Sequence, residues 1–227
     1  RGKAKKKKGK AKAMEGGYAL LQVDVGGGWG VTQLASEMQS AEWVSDVKLH
    51  KGMMGVGSHD NKVYLYDVSG DGTSRLRGKC VKHNSYITHL DFSSDGKFIQ
   101  SNCGGYELLF YSTKDGKQIT SASSLRDTSW ATQTCTLGWP VQEIFPPGCD
   151  GTDVNAACCS KDGKYVYTSD DFGKLKVFNY PCVTKGAQCV EGRGHSSHVT
   201  CVRELGQGRV VTTGGKDGTV ICWRVKD

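Results

Sequence analysis

The sequence predicts an all-β fold built from a repeated four-stranded unit, and three observations carry that prediction. The first is the stretch 194–223, GHSSHVTCVRELGQGRVVTTGGKDGTVICW. Val199, Cys201, Val210 and Val211 stand at strand-like spacing, and Lys216-Asp217-Gly218 reads as a tight turn. Val220, Cys222 and Trp223 then form a further half-buried strand. The second is recurrence: an aromatic closes the same short strand at Tyr66, Tyr111, Phe178 and Trp223, at intervals of 45, 67 and 45 residues. A period near 45 is that of a propeller blade. The third is composition, with 31 glycines and 4 prolines in a turn-rich chain of 227 residues. Together they predict a WD-repeat β-propeller with about four blades visible, part of a larger or tandem propeller.

In a WD repeat an opening His, a second-strand Ser or Thr, a turn Asp and a third-strand Trp hydrogen-bond to one another. Here the matching residues are His195, Thr213, Asp217 and Trp223. The offsets between the aromatics carry Thr213 onto Thr168, Ser101 and Val56. They carry His195 onto Asp150, His83 and Met38, and Asp217 onto Phe172, Gly105 and Asp60. The turn Asp is therefore expected only in the first and last units.

In chain order, residues 1–15 are a basic low-complexity tail that cannot build a core. Eight of the 30 lysines and arginines lie in residues 1–12, which hold no acid. The rest of the chain keeps 22 basic against 23 acidic residues, so the fold itself is near neutral. Such a tail attracts acidic partners, or is simply a solvated face of the chain. Residues 16–40 read as the end of a preceding blade or a linker. Residues 41–227 hold the blades. Hairpins fall at Ser94-Asp95-Gly96-Lys97 and Lys161-Asp162-Gly163-Lys164. An insertion at about 112–149 carries Trp130, Trp139, Phe145 and three of the prolines. Bulky aromatics with rigid prolines predict an ordered excursion that packs on the propeller.

No catalytic or metal centre is predicted. Asp171-Phe172-Gly173 spells a kinase magnesium motif, but the Gly-rich loop, strand Lys and H-R-D loop it needs are missing, so it reads as a turn. His195-x-x-His198 lacks further ligands nearby and reads as scaffolding. Ten cysteines without a C-x-x-C pair read as small core residues kept reduced, which points to the cytosol or cytoskeleton. No apolar run is long enough for a membrane helix, and no cofactor is expected.

Further residues resemble one family. Gly57-Ser58-His59-Asp60-Asn61, Ile87-Thr88-His89-Leu90-Asp91, Trp130-Ala131-Thr132 and Thr134-Cys135-Thr136-Leu137-Gly138 are similar to the echinoderm microtubule-associated protein-like family. So are Asp150 to Asn155, Asp170-Asp171-Phe172-Gly173-Lys174, Gly194 to Thr200 and Thr213 to Asp217. The resemblance covers about residues 41–227 and includes the insertion. It implies the C-terminal part of a tandem propeller pair, without enzymatic activity, that associates with tubulin and microtubules in cytoplasm, spindle or cilium. Lys5, Lys6, Lys7, Lys8, Lys10 and Lys12 would then meet acidic tubulin tails. The rival expectation is a general protein-interaction scaffold. A nucleic-acid partner is disfavoured, because the folded part is net negative and shows no basic-aromatic stripe.

Overall fold

The computed structural model describes residues 16–26, 30–145 and 147–226, and among them every regular element but two short 3₁₀ turns is a strand. A hairpin comes first, β1 (Gly16–Asp24) with β2 (Gly30–Ser40). Four antiparallel meander sheets follow. The first blade is β3 (Val44–His50), β4 (Met53–Ser58), β5 (Val63–Val68) and β6 (Ser74–Cys80). The second is β7 (Ile87–Phe92), β8 (Phe98–Cys103) and β9 (Leu108–Ser112). The third is β10 (Val154–Cys159), β11 (Tyr165–Asp170), β12 (Lys174–Asn179) and β13 (Cys189–Arg193). The fourth is β14 (Val199–Gly206), β15 (Arg209–Gly214) and β16 (Val220–Arg224). This is a propeller of WD type left unclosed: among the described residues no strand pairs with the outer edge of β16.

In the first three blades the second and third strands are largely buried on both faces, whereas β15 and β16 of the fourth alternate between covered and exposed residues. The cores lie between blades. Ile87, Leu90, Phe92 and Ile99 of the second blade pack with Val63 and Leu65 of the first. Glycine makes that approach possible in β4: a Cβ at Gly57 would lie 2.7 Å from Ile87. Ala156, Tyr167 and Leu175 meet Val202 and Val210 in the same way between the third and fourth blades. β3 packs beside β7, and β10 beside β14.

The two predicted hairpins share one turn chemistry. Ser93 Oγ donates to Asp95 Oδ1 at 2.6 Å, which accepts Lys97 N–H at 3.0 Å, with Gly96 at φ +80°. Ser160, Asp162, Lys164 and Gly163 repeat it. The Ser93 hydroxyl and the Lys97 N–H hold the Asp95 carboxyl down at about 2. All ten cysteines are free. Burial pushes the Cys80 thiol up to about 12 and the Cys182 thiol up to about 11. Cys222 is different: it lies exposed on the free-edged β16 rather than in a core.

The insertion packs. Its start continues β9, with Ile119 N–H on Phe110 O at 2.8 Å. Its middle runs against β7: Ala131 N–H donates to Phe92 O at 2.8 Å, and Trp130 stacks on Phe110 at 5.9 Å. Its end places Val141 and Ile144 in the core of the third blade beside Val154, Val166 and Phe178. One carboxylate ties it down. Asp91, fully buried on β7, accepts Thr132 Oγ1 at 2.6 Å, Thr134 Oγ1 at 2.8 Å, Thr134 N–H at 2.9 Å, Cys135 N–H at 2.9 Å and Gln100 Nε2 at 3.2 Å. A buried charge is tolerable only with such a donor set.

Replacing Asp91 by Ala would strand those donors in the interior. The expected loss is roughly 3 kcal/mol, with Thr132→Val costing about 1. Urea midpoints followed by tryptophan fluorescence check the order of the two.

Candidate interaction face

The loops that enter each blade and the turns between its second and third strands meet on one face of the propeller. A backbone hydrogen bond joins them in all four blades: His59 N–H to Trp43 O, Gly104 N–H to Tyr86 O, Asp171 N–H to Asp153 O, and Gly215 N–H to His198 O, at 2.8–2.9 Å. These four pairs define equivalent positions better than the aromatics do.

In the fourth blade His195 Nε2 lies 2.7 Å from Thr212 Oγ1, and Trp223 Nε1 donates to the same oxygen at 2.7 Å. His195 Nδ1 lies 3.1 Å from Asp217 Oδ2, which also accepts Ser196 N–H at 3.1 Å. The hydroxyl is therefore Thr212, not the expected Thr213. Thr213 points to the opposite side of β15, where its Oγ1 lies 2.9 Å from Thr200 Oγ1. The reason is one extra residue in the last turn. Thr212 pairs with Ile221, nine positions on, whereas Ser101 pairs with Leu109 and Thr168 with Lys176, eight positions on. Stepping back by a fixed offset from Trp223 thus lands on the wrong pleat face.

The second blade repeats the network with substitutions. His83 Nε2 lies 2.7 Å from Ser101 Oγ, and Glu107, not Gly105, fills the carboxylate position, accepting Asn84 N–H at 3.0 Å. Glu107 escaped the sequence reading because it stands two residues beyond the fixed offset, next to the third strand. In the first blade Asp60 accepts Ala41 N–H at 3.3 Å and Tyr64 OH at 2.6 Å. Ser40, hydrogen-bonded to Ser58, takes the place expected of Met38, which is exposed on β2. The third blade has no such network. Asp150 closes a local turn with Thr152, Thr168 Oγ1 is buried without a partner, and a buried Lys176–Asp170 pair at 2.9 Å holds the turn instead. Asp171-Phe172-Gly173 is that turn, with Gly173 at φ +76°.

The carboxylates are held ionised. The Asn84 N–H leads the donors that keep Glu107 down at about 2, and N–H donors and His195 outweigh burial at Asp217. Burial holds His83 below its ordinary 6.5, with Glu107 opposing. His83, Cys103 and Glu107 have the residue types of a metal set. Cys103 Sγ and Asn84 already donate to Glu107, so the cluster is satisfied as a hydrogen-bonded scaffold.

Around these networks the face exposes aromatics: Trp43, Tyr86, Tyr106 and Phe172. Trp43 stacks on His59 at 5.7 Å, and His59 on Tyr86 at 4.7 Å. A Cβ at Gly104 would lie 2.4 Å from the Tyr86 ring, and one at Gly215 would lie 2.2 Å from the His198 ring, both impossibly close. The sequence alone pointed to none of this row, because its members come from different loops and turns and only folding places them together. Lys5, Lys6, Lys7, Lys8, Lys10 and Lys12 lie outside the described residues.

The fold and these networks define a WD-repeat β-propeller. The model of the family described as the echinoderm microtubule-associated protein second beta-propeller matches residues 16–225. The chain belongs to that family. It is 50% identical over 175 residues to echinoderm microtubule-associated protein-like 2 of Rattus norvegicus, covering 76% of this chain and 27% of that protein. It is 47% identical over 174 residues to the human protein-like 1, covering 76% and 21%. The chain thus spans about a quarter or less of the relatives it matches. Among solved structures, the C-terminal WD40 domain of Sif2 aligns with a TM-score of 0.59 at 14% identity, over 92% of this chain and 66% of that one. A chain of the mitotic checkpoint complex aligns at 0.64 and 15%, over 86% and 66%. At such identities these two show the fold alone.

Two outcomes test the geometry. Thr212→Val is expected to cost about 2 kcal/mol, since it strips both His195 and Trp223 of a partner, while Thr213→Val stays within about 0.5. For pH, the folded state keeps His83 and His89 neutral, burial being the main cause for both. The unfolded chain therefore binds protons first, and stability falls as pH drops through 6.5. Glu107 adds a second loss between its ordinary 4.5 and about 2. Urea midpoints across this range, with His83→Gln flattening the first decline, check the assignment.

Proposed function

We propose that this segment is a non-enzymatic docking platform of a microtubule-associated WD-repeat protein of the cytoplasmic cytoskeleton. Membership in a family whose relatives are named microtubule-associated proteins carries the reading. The face supports it. His83 and His195 are committed to scaffold hydrogen bonds, and the face exposes aromatics, as at protein interfaces. In this reading the folded surface meets tubulin or an axonemal structure. Lys5, Lys6, Lys7, Lys8, Lys10 and Lys12 add a screened attraction to acidic tails, which fades once charges lie beyond a Debye length of about 8 Å at physiological salt.

Co-sedimentation with stabilised microtubules tests it, using the intact chain and a variant with those six lysines changed to Gln, at low and physiological salt. Both chains are expected to pellet, the variant with a flatter salt dependence. Pelleting by the intact chain alone, and only at low salt, would reduce the contact to a basic tail. No pelleting, together with one stable non-cytoskeletal complex, would favour a general interaction scaffold.

A further inference from the structure

Among the turns between second and third strands, one backbone position is filled against its conformational preference. Each turn between a second and third strand contains a residue in the left-handed region. It is Asn61 at φ +67° in the first blade, Gly173 at +76° in the third and Gly218 at +60° in the fourth. Asn and Gly tolerate that region and other residues enter it less readily, although Lys51 and Gln207 do so in hairpins between first and second strands. The second blade places Tyr106 there, at φ +59°. The residue is 54% exposed, so core packing does not explain the choice. Its ring rests on a glycine cleared for it: a Cβ at Gly151 would lie 2.6 Å from the ring. Backbone strain retained at an exposed aromatic points to a role in binding.

Tyr106 stands at the mouth of a cavity of about 330 Å³ between the second and third blades, and Tyr86 lines it too. That volume lies at the low end of ligand-pocket sizes and admits one long side chain. Its lining includes one carboxylate, Asp171, and no lysine or arginine among the described residues. Asp171 Oδ1 accepts Asn155 Nδ2 at 2.8 Å, while no described residue donates to Oδ2. His89 lines the same cavity, and its Nδ1 is buried without a partner. Burial favours its neutral form, so it does not repel a cation.

We propose that this cavity receives an arginine side chain from an extended segment of a partner protein, with the guanidinium against Tyr86 and Tyr106 and paired with Asp171. Arginine fits because its planar cation stacks on aromatic faces and forks onto carboxylates. The Trp43–His59–Tyr86 stack continues the surface across the first blade for the flanking residues. This inference does not depend on the microtubule reading.

The test uses the full chain and two probes, Nα-acetyl-arginine methylamide and its neutral citrulline counterpart, mapped by amide shifts in NMR. Saturable shifts at Gly104, Tyr106, Gly151 and Asp171 are expected from the arginine probe only. Asp171→Asn should weaken binding about threefold, the scale of an exposed ion pair. Tyr106→Asn should abolish it while leaving the melting temperature equal or higher, an effect that a structural role for the ring would reverse. Equal shifts from citrulline, or no shifts at this face, would overturn the proposal. So would binding that appears only after the lysines of residues 3–12 are changed to Gln, since the chain's own tail would then be the occupant.

Discussion

The backbone hydrogen bond between each entering loop and the turn beside it is the constraint on which the rest of this face depends. It is present in all four blades, although the side chains around it differ in every one. In the fourth blade a His–Thr–Trp–Asp network reinforces it, and in the second a His–Ser–Glu network does so. The first blade uses Ser40 and Asp60, and the third a buried Lys176–Asp170 pair. Because the main chain sets the geometry, the side chains are free to vary in kind provided that each buried polar atom finds a partner. Thr168, whose hydroxyl has none, shows what happens when the histidine is missing and the hydroxyl stays.

The repeat was legible because strand pairing repeats on a fixed period, and the four closing aromatics sit on it. The details that escaped are all consequences of turn length. One extra residue before β16 moved the hydroxyl from Thr213 to Thr212. Glu107 lies beyond the offset for the opposite reason, since the second blade reaches its carboxylate from the base of the turn. Periodicity reads strands well, where each residue has a fixed face, and reads turns poorly, where one residue more or less changes what a side chain can touch. The aromatic face was illegible for the same reason. Its members come from different turns and loops, and only folding places them together.

The insertion makes a related point about order without regular structure. Beyond two short 3₁₀ turns it has almost no repeating backbone pattern, yet it fills the space between the second and third blades. Thr132, Thr134 and Cys135 converge on Asp91, and Leu137 N–H donates to Asn102 Oδ1 at 2.9 Å. Buried side-chain acceptors on β7 and β8 do the work that a neighbouring strand would otherwise do.

Tyr86 and Gly104 are far enough apart in the chain to look unrelated, yet neither can be changed freely alone. The ring occupies the volume that any side chain at position 104 would need. His198 and Gly215 are bound by the same exclusion. In the first blade the position opposite the aromatic is His59, and there the two rings stand face to face instead of ring over backbone. The first, second and fourth blades therefore each hold a matched pair, and such a blade moves between the two arrangements only by altering both members. Across a set of related sequences, the residue in the entering loop and the residue opening the turn should then vary as a unit, a coupling imposed by occupied volume alone.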